Sequence, residues 1–264
     1  MKPFAPVVLR FESLPSTNTE AARQAMAGAA EGLCITAKEQ TAGRGRFDRV
    51  WASPKDAGLY LSIVLRPTLD QRSWPLITLA TSLSVSAALE QACAITTDIK
   101  WPNDIMHSER KLCGILAETV DTEYGRALIL GIGINLTSQA FPQELNGTAT
   151  SVEAAAGRRP DADALLSALV NSFGSYYQRL QATDGVAKTI ADWSAHSSYA
   201  AGRQVRVIEA GGTFVGTTRG LESDGALRVE TVAGAISILH AGEVQSLRST
   251  DDPLLNSRNG QQNT

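Results

Sequence analysis

Residues 40–51 read QTAGRGRFDRVW, and the organisation of the chain is legible outward from this stretch. It sets Gly43 and Gly45 among Arg44, Arg46 and Arg49 and closes on Trp51. Glycine lets backbone N–H groups approach a ligand closely, and the planar arginine fork matches phosphate and carboxylate oxygens. An apolar, β-branched run at 33–39 precedes it; turn material (SPKDAG, 53–58) and a second strand-like run, 59–66, follow. The stretch therefore reads as an inter-strand loop that closes over a small anionic ligand. A solvated basic turn is the plainer alternative, and the loop alone does not choose between them.

Upstream, residues 7–14 read as a strand stopped by Pro15, and Thr17 with Glu20 forms a capping box for a helix to about Met26. Ser16, Thr17 and Asn18 expose hydroxyl and amide groups at its mouth. Downstream, Pro75 opens a helix to about Ala92, with Leu76, Leu79, Leu83 and Leu89 at helical spacing. In DIKWPNDI (98–105), Ile99 and Trp101 alternate with Lys100, and Pro102 leaves Asn103 and Asp104 at a strand end, where binding chemistry or a plain turn is expected. Residues 111–120 and 127–136 read as a buried hairpin in which Gly114, Gly131 and Gly133 mark close approach of backbone or ligand. Helices follow at 152–156, from the Asp161 cap to about Leu180, and at 186–193.

Near Gly202 the texture changes to short β-like segments separated by GG, SDG and AG turns. This suits a small barrel of four or five strands, with Val205, Val207, Phe214, Val215, Leu221, Leu227, Val229, Ile236, Ile238, Leu239 and Val244 as its apolar register. The expected division is 1–199 for a larger domain, 200–248 for the small barrel, and a polar, disordered tail at 249–264.

The 264 residues are 43% hydrophobic with a net charge of −3, which argues against a surface built wholly for nucleic acid. Cys34, Cys93 and Cys113 are widely spaced and His107, His196 and His240 scattered, so neither a disulfide framework nor a metal cluster is expected. No metal ligand is assigned. The run at 76–88 reads as too short and too polar to span a bilayer, and the N-terminus lacks a signal-peptide pattern, so the expectation is a cytoplasmic protein with no membrane role. A Walker sequence and a nucleophile–base pair are both missing. Two bound substrates reacting by proximity and charge stabilisation fit best, and adenylation of a carboxylate is such a chemistry.

The motifs STN (16–18), QTAGRGRFDRVW, KWPND (100–104), KLCGILAE (111–118), GIGINL (131–136) and HAGEVQSLR (240–248) together resemble the biotin protein ligases (biotin–[acetyl-CoA-carboxylase] ligases), in the family's order. The likeness is to the short class without an N-terminal DNA-binding domain. The resemblance implies an α+β fold: a mixed β-sheet flanked by helices, of the class II aminoacyl-tRNA-synthetase/biotin ligase type, followed by an SH3-like β-barrel. It implies that biotin and Mg²⁺-ATP give biotinyl-5′-AMP, whose acyl group passes to a lysine of the biotin carboxyl carrier protein. Lys100 and Arg46 take the catalytic positions; Ser16, Thr17, Asn18, Gln40, Gly43, Arg44, Lys111 and Gly114 take biotin positions; Arg46, Arg49, Trp51, Asn103, Asp104 and Asn135 take nucleotide positions. No DNA partner is expected, and the family holds both monomers and homodimers. Asp48 stands where the family loop has glycine, and Thr137 where it often has Asn. The rival readings are a lipoate or other acyl-adenylate ligase, a non-catalytic biotin sensor, and a ligase disabled at Asp48.

Overall fold

The computed structural model describes residues 4–138, 141–209 and 211–247. Twelve strands form two sheets. The larger joins β1 (Val7–Phe11), β2 (Leu33–Ala37), β3 (Gly58–Leu65), β4 (Asp98–Lys100), β5 (Asp104–His107), β6 (Arg110–Thr122) and β7 (Gly125–Asn135). Its order is β1-β2-β3-β7-β6-β5-β4, parallel only between β1 and β2. The parallel pair needs a crossover, and α1 (Thr17–Met26) supplies it.

The period-two alternation of strands sorts side chains between the faces of this sheet. On β3 and β7, Leu61, Ile63, Leu65, Leu128, Leu130 and Ile132 join the main core, which α2 (Pro75–Cys93) and α4 (Ala162–Leu180) cover. Val64, Ala127 and Ile129 face the other way and pack with Ala21 and Ala25 of α1. Farther along that second face only the first turn of α1 reaches over the sheet, at Thr17 and Asn18. The positions there are Ser62, Gly114, Gly131 and Gly133, paired as Ser62 with Gly131 and Gly114 with Gly133. Small residues in register therefore leave a bare patch of sheet, and the site is built on it.

Between α2 and α4 lie the strands β4 to β7, and after α4 come α5 (Gly185–Ala195) and the second sheet; a short helix α3 (Val152–Ala156) precedes α4. The second sheet comprises β8 (Ala201–Glu209), β9 (Gly212–Leu221), β10 (Leu227–Thr231), β11 (Ile236–Leu239) and β12 (Glu243–Ser246), all antiparallel in the order β11-β10-β9-β8-β12. Val205, Val207, Leu227, Val229, Leu239 and Val244 are continuous with the main core. The turn before β10 is anchored to the larger sheet, where Trp101 Nε1 donates to Gly225 O at 3.0 Å.

Several expectations need correction. Ser16, not Thr17, caps α1: Ser16 Oγ accepts from Thr19 N, and Thr17 is the first helical residue. The DIMH segment is the separate strand β5, which the sequence reading missed. Ile236 and Ile238 face outward, 44% and 49% exposed, because β11 buries only Leu239. Helix α2 begins at Pro75 as expected and ends at Cys93, within a residue of the expected end. By length and composition Gln71–Cys93 could cross a membrane, although two-thirds of its most apolar window is buried in the fold. The hydroxyls of Thr81, Ser82 and Ser84 do not make it polar, since each donates to a carbonyl one turn back at 2.6–2.7 Å. The tail at 249–264 and the end of the HAGEVQSLR motif, Arg248, lie outside the described residues.

Candidate functional site

The bare sheet patch, the start of α1, the loop at 40–51, the β4–β5 turn and β12 enclose a cavity of about 550 Å³. Of the residues singled out in the sequence, Ser16, Thr17, Asn18, Gln40, Arg44, Arg46, Arg49, Trp51, Lys100, Asn103, Asp104, Lys111, Gly114 and Asn135 all border it. Gly43 does not. It is buried in the loop, where a Cβ would come 2.3 Å from Trp51 O and 2.6 Å from Ser53 Oγ, so it lets two loop segments cross.

One end of the cavity is polar and neutral. Because Ser16 carries the cap, Thr17 is free to bond elsewhere: its N–H and hydroxyl both donate to Gln40 Oε1, at 2.8 and 3.1 Å. Gln40 Nε2 donates to Ser53 Oγ at 2.8 Å, which fixes the amide. Ser62 Oγ lies 2.7 Å from Thr17 Oγ1 and 2.6 Å from Asn18 Oδ1. Asn18 Nδ2 donates to Glu118 Oε2 at 2.8 Å. The Asn18 amide rests on Gly131, where a Cβ would be 2.3 Å from Oδ1. Trp51 lies on the next pair of the floor: Cβ atoms at Gly133 and Gly114 would come 2.6 and 3.0 Å from its indole. The buried Trp51 Nε1 has no hydrogen-bond partner among the described residues.

The other end is cationic. Lys100 leaves β4 just before the cis Trp101–Pro102 peptide. Burial lowers its pKa, an effect that the charges of Asp104 and Glu243 partly offset. Among the described residues it forms no ion pair, because Asp104 is taken by Lys111 at 2.6 Å and Glu243 pairs with Arg49. Arg46 is likewise pushed down by burial, and its NH1 donates to Asn103 Oδ1 at 3.0 Å. Asn103 is anchored in turn, Nδ2 donating to Ile115 O at 2.7 Å. Asn135 Nδ2 donates to Thr150 O at 3.0 Å, so this residue shapes the wall beside Lys111. Partly buried cations without carboxylate partners are costly unless an anion joins them.

Asp48 is accommodated. Phe47 and Asp48 both adopt left-handed backbone, φ 56° and 57°, and Asp is among the residues that tolerate this region. The loop thus keeps the turn that a glycine would give.

Sequence reasoning missed three site groups. Ser62 is a lone hydroxyl inside an apolar strand run; Glu118 is a charge that directly follows the apolar run at 115–117, and that mismatch was its available signal. Glu243 reaches the site from the second sheet, which only tertiary structure reveals. Burial raises its carboxyl pKa, but hydrogen bonds from Arg49 and Gln245 and the Lys100 charge bring it below the ordinary value.

The donor set suits phosphate and carboxylate oxygens rather than a bare metal ion. No cluster of three His, Cys, Asp or Glu groups occurs among the described residues, and Asp104 and Glu243 are held by cations.

Residues 10–135 match the biotin/lipoate A/B protein ligase family and residues 201–246 the biotin protein ligase C-terminal domain. The chain is 37% identical to the bifunctional ligase/repressor BirA of Bacillus subtilis, over 89% of this chain and 72% of that protein. It is 33% identical to the biotin–[acetyl-CoA-carboxylase] ligase of Mycobacterium tuberculosis, over 88% of this chain and 86% of that protein. Among solved structures it resembles the biotin protein ligase from Aquifex aeolicus in complex with biotin and ATP. That match has a TM-score of 0.79 and 28% identity, covering 92% of this chain and 99% of the other.

Proposed function

Because the chain belongs to the biotin/lipoate A/B protein ligase family, we infer that it is a biotin protein ligase and that the two-ended cavity is its reaction site. Biotin and ATP form biotinyl-5′-AMP, and the acyl group then passes to a lysine of the biotin carboxyl carrier protein. One observation carries the reading. A neutral, hydrogen-bonding end and a cationic end share one floor of bare sheet, which fits a ligand with a polar ring at one end and a carboxylate at the other.

The ring sits at Ser16, Thr17, Asn18 and Gln40. Side chains already locked by protein hydrogen bonds cost little further ordering on binding. The biotin carboxylate then points to Lys100. Its oxygen attacks the α-phosphorus of ATP and pyrophosphate leaves. Two anions must approach each other, and a preplaced ammonium lowers that repulsion without reorganising. Low surrounding polarity, the cause of the Lys100 shift, strengthens its pull on the arriving oxygens. Mg²⁺ arrives with ATP as part of the substrate and supplies charge neutralisation on the polyphosphate. Arg46, braced by Asn103, holds the α-phosphate in both the substrate and the mixed anhydride. The loop at 40–51 screens that anhydride from water. In the second step the acceptor lysine amine attacks the acyl carbon, AMP leaves, and the amine gives up a proton to form the amide.

The polar end also separates biotin from lipoate. A dithiolane ring offers no carbonyl to the second N–H of Asn18, and a buried polar group left unpaired by a ligand discriminates strongly against it. Intact-mass analysis of a carrier domain incubated with this chain, Mg²⁺-ATP and an equal mixture of biotin and lipoate tests the assignment. One biotinyl group on one lysine is expected; an unmodified carrier, or one modified only with lipoate, contradicts it.

A further inference from the structure

Glu118 has no part in the chemistry above, yet it touches both the polar end of the cavity and the loop over it. By strand alternation it shares a face of β6 with Gly114 and Leu116. Its two oxygens serve different elements: Oε2 accepts from Asn18 Nδ2 at 2.8 Å, and Oε1 accepts from Arg44 NH2 at 2.7 Å. Asn18 belongs to the polar end of the cavity and Arg44 to the loop that covers it. We propose that Glu118 is a positioning residue that couples recognition of the biotin ring to closure of the 40–51 loop. The proposal rests on the biotin ligase reading.

The argument starts from the amide. The two ends of an asparagine side chain are nearly equal in shape, and only hydrogen bonding decides which way it points. Here Ser62 Oγ stands 2.6 Å from Asn18 Oδ1 and Glu118 holds Nδ2. A flipped amide would set its carbonyl against the carboxylate. The amide therefore points one way, with its second N–H left for a ligand carbonyl.

Arg44 brings the loop to the same carboxylate. Its side chain is half exposed, and an isolated exposed pair contributes little. Sharing the carboxylate with a buried amide changes this, since charge-assisted bonds to one fixed acceptor reinforce each other. A closed loop thereby steadies Asn18, and an ordered Asn18 fixes the acceptor that the loop arm needs.

Glu118→Ala, Glu118→Gln, Arg44→Gln and the double variant Glu118→Ala/Arg44→Gln test this in the full chain. Two quantities are read: biotin affinity by calorimetry, and the release rate of labelled biotinyl-adenylate formed on the enzyme and chased with excess unlabelled biotin and ATP. Glu118→Ala is expected to weaken biotin and speed release, each by about tenfold or more, the range for losing a bond to a charged group. Glu118→Gln keeps one acceptor for Asn18, so biotin affinity should stay within about threefold while release still quickens. It also serves where the alanine variant does not fold. The double variant should release no faster than Glu118→Ala alone, since both changes remove one bond. Wild-type affinity and release in Glu118→Ala, or multiplied effects in the double variant, would overturn the proposal. A wild-type chain that forms no biotinyl-adenylate counts against the ligase assignment itself, and the coupling proposal falls with it.

Discussion

Replacing Gly131 with alanine should disable biotin recognition by moving a neighbour rather than by removing a contact. A Cβ at this position would lie 2.3 Å from Asn18 Oδ1 and 3.0 Å from its Cγ. An ordinary contact begins at 3.4 Å, so the amide must retreat by about 1.1 Å, the difference between the two distances. Retreat of that size stretches the 2.6 Å Ser62 bond and the 2.8 Å Glu118 bond beyond hydrogen-bonding range. One of the two involves a charged acceptor, and together they are worth about 2–4 kcal/mol. Those lost bonds weaken the fold. Biotin, in turn, either forgoes the bond to a displaced Asn18 or forces it back against the clash. Losing one bond with its partner left unpaired, about 1–3 kcal/mol, means roughly 5- to 140-fold weaker affinity. Calorimetry with biotin reads this directly, and thermal unfolding monitors the fold. Gly211→Ala is the control, because a Cβ there meets nothing within 4 Å. If Gly131→Ala keeps its fold and binds biotin within about threefold of wild type, the placing of the ring at Asn18 is wrong.

Other consequences follow from the same geometry. Lys100→Ala should cut adenylate formation by about 10²–10³ while thermal stability holds or rises, since a half-buried, desolvated charge is removed; single-turnover kinetics and a melt read the two sides. The pH dependence has opposite signs in these readouts. Burial lowers the Lys100 pKa below its ordinary 10.5, so adenylation should decline at lower pH than an ordinary lysine would dictate. The Lys100 contribution to stability instead rises between the lowered pKa and 10.5, where the unfolded chain binds the extra proton. Arg46→Gly removes the arm that Asn103 braces and should let adenylate escape, raising acylation of bystander lysines in a mixed-protein assay. Asp161→Ala deletes the cap whose Oδ1 accepts from Asp163 N and Ala164 N, both at 3.0 Å, and should cost about 1 kcal/mol in chemical denaturation without changing activity.

The fold class was legible in the sequence through the ordered motifs and the change of texture near Gly202. The glycines of β6 and β7 were readable as points of close approach, and the floor under Trp51 and Asn18 is that approach. Which objects would approach was not readable, because it depends on the register of β3, β6 and β7. The helix start was misread by one residue, since Ser16 and Thr17 can both cap and only the Gln40 partner decides between them. Strand β5 escaped notice because its four residues are too few for a periodic signal, and its hairpin partners β4 and β6 flank it so closely that the stretch reads as one strand and a turn. Glu118 and Glu243 were quoted within motifs but given no role. Their partners, Asn18 and Arg44 for one and Arg49 for the other, are remote in sequence. Asp48 stood out as an anomaly, and the left-handed φ of 57° shows the backbone conformation it preserves.

Biotin-dependent exchange of label between pyrophosphate and ATP tests the central claim most directly, because it reports the first chemical step alone and needs no acceptor. The account predicts exchange with biotin and Mg²⁺-ATP, none with lipoate, and near-complete loss in Lys100→Ala. Exchange supported by lipoate but not biotin, or undiminished in Lys100→Ala, would contradict it.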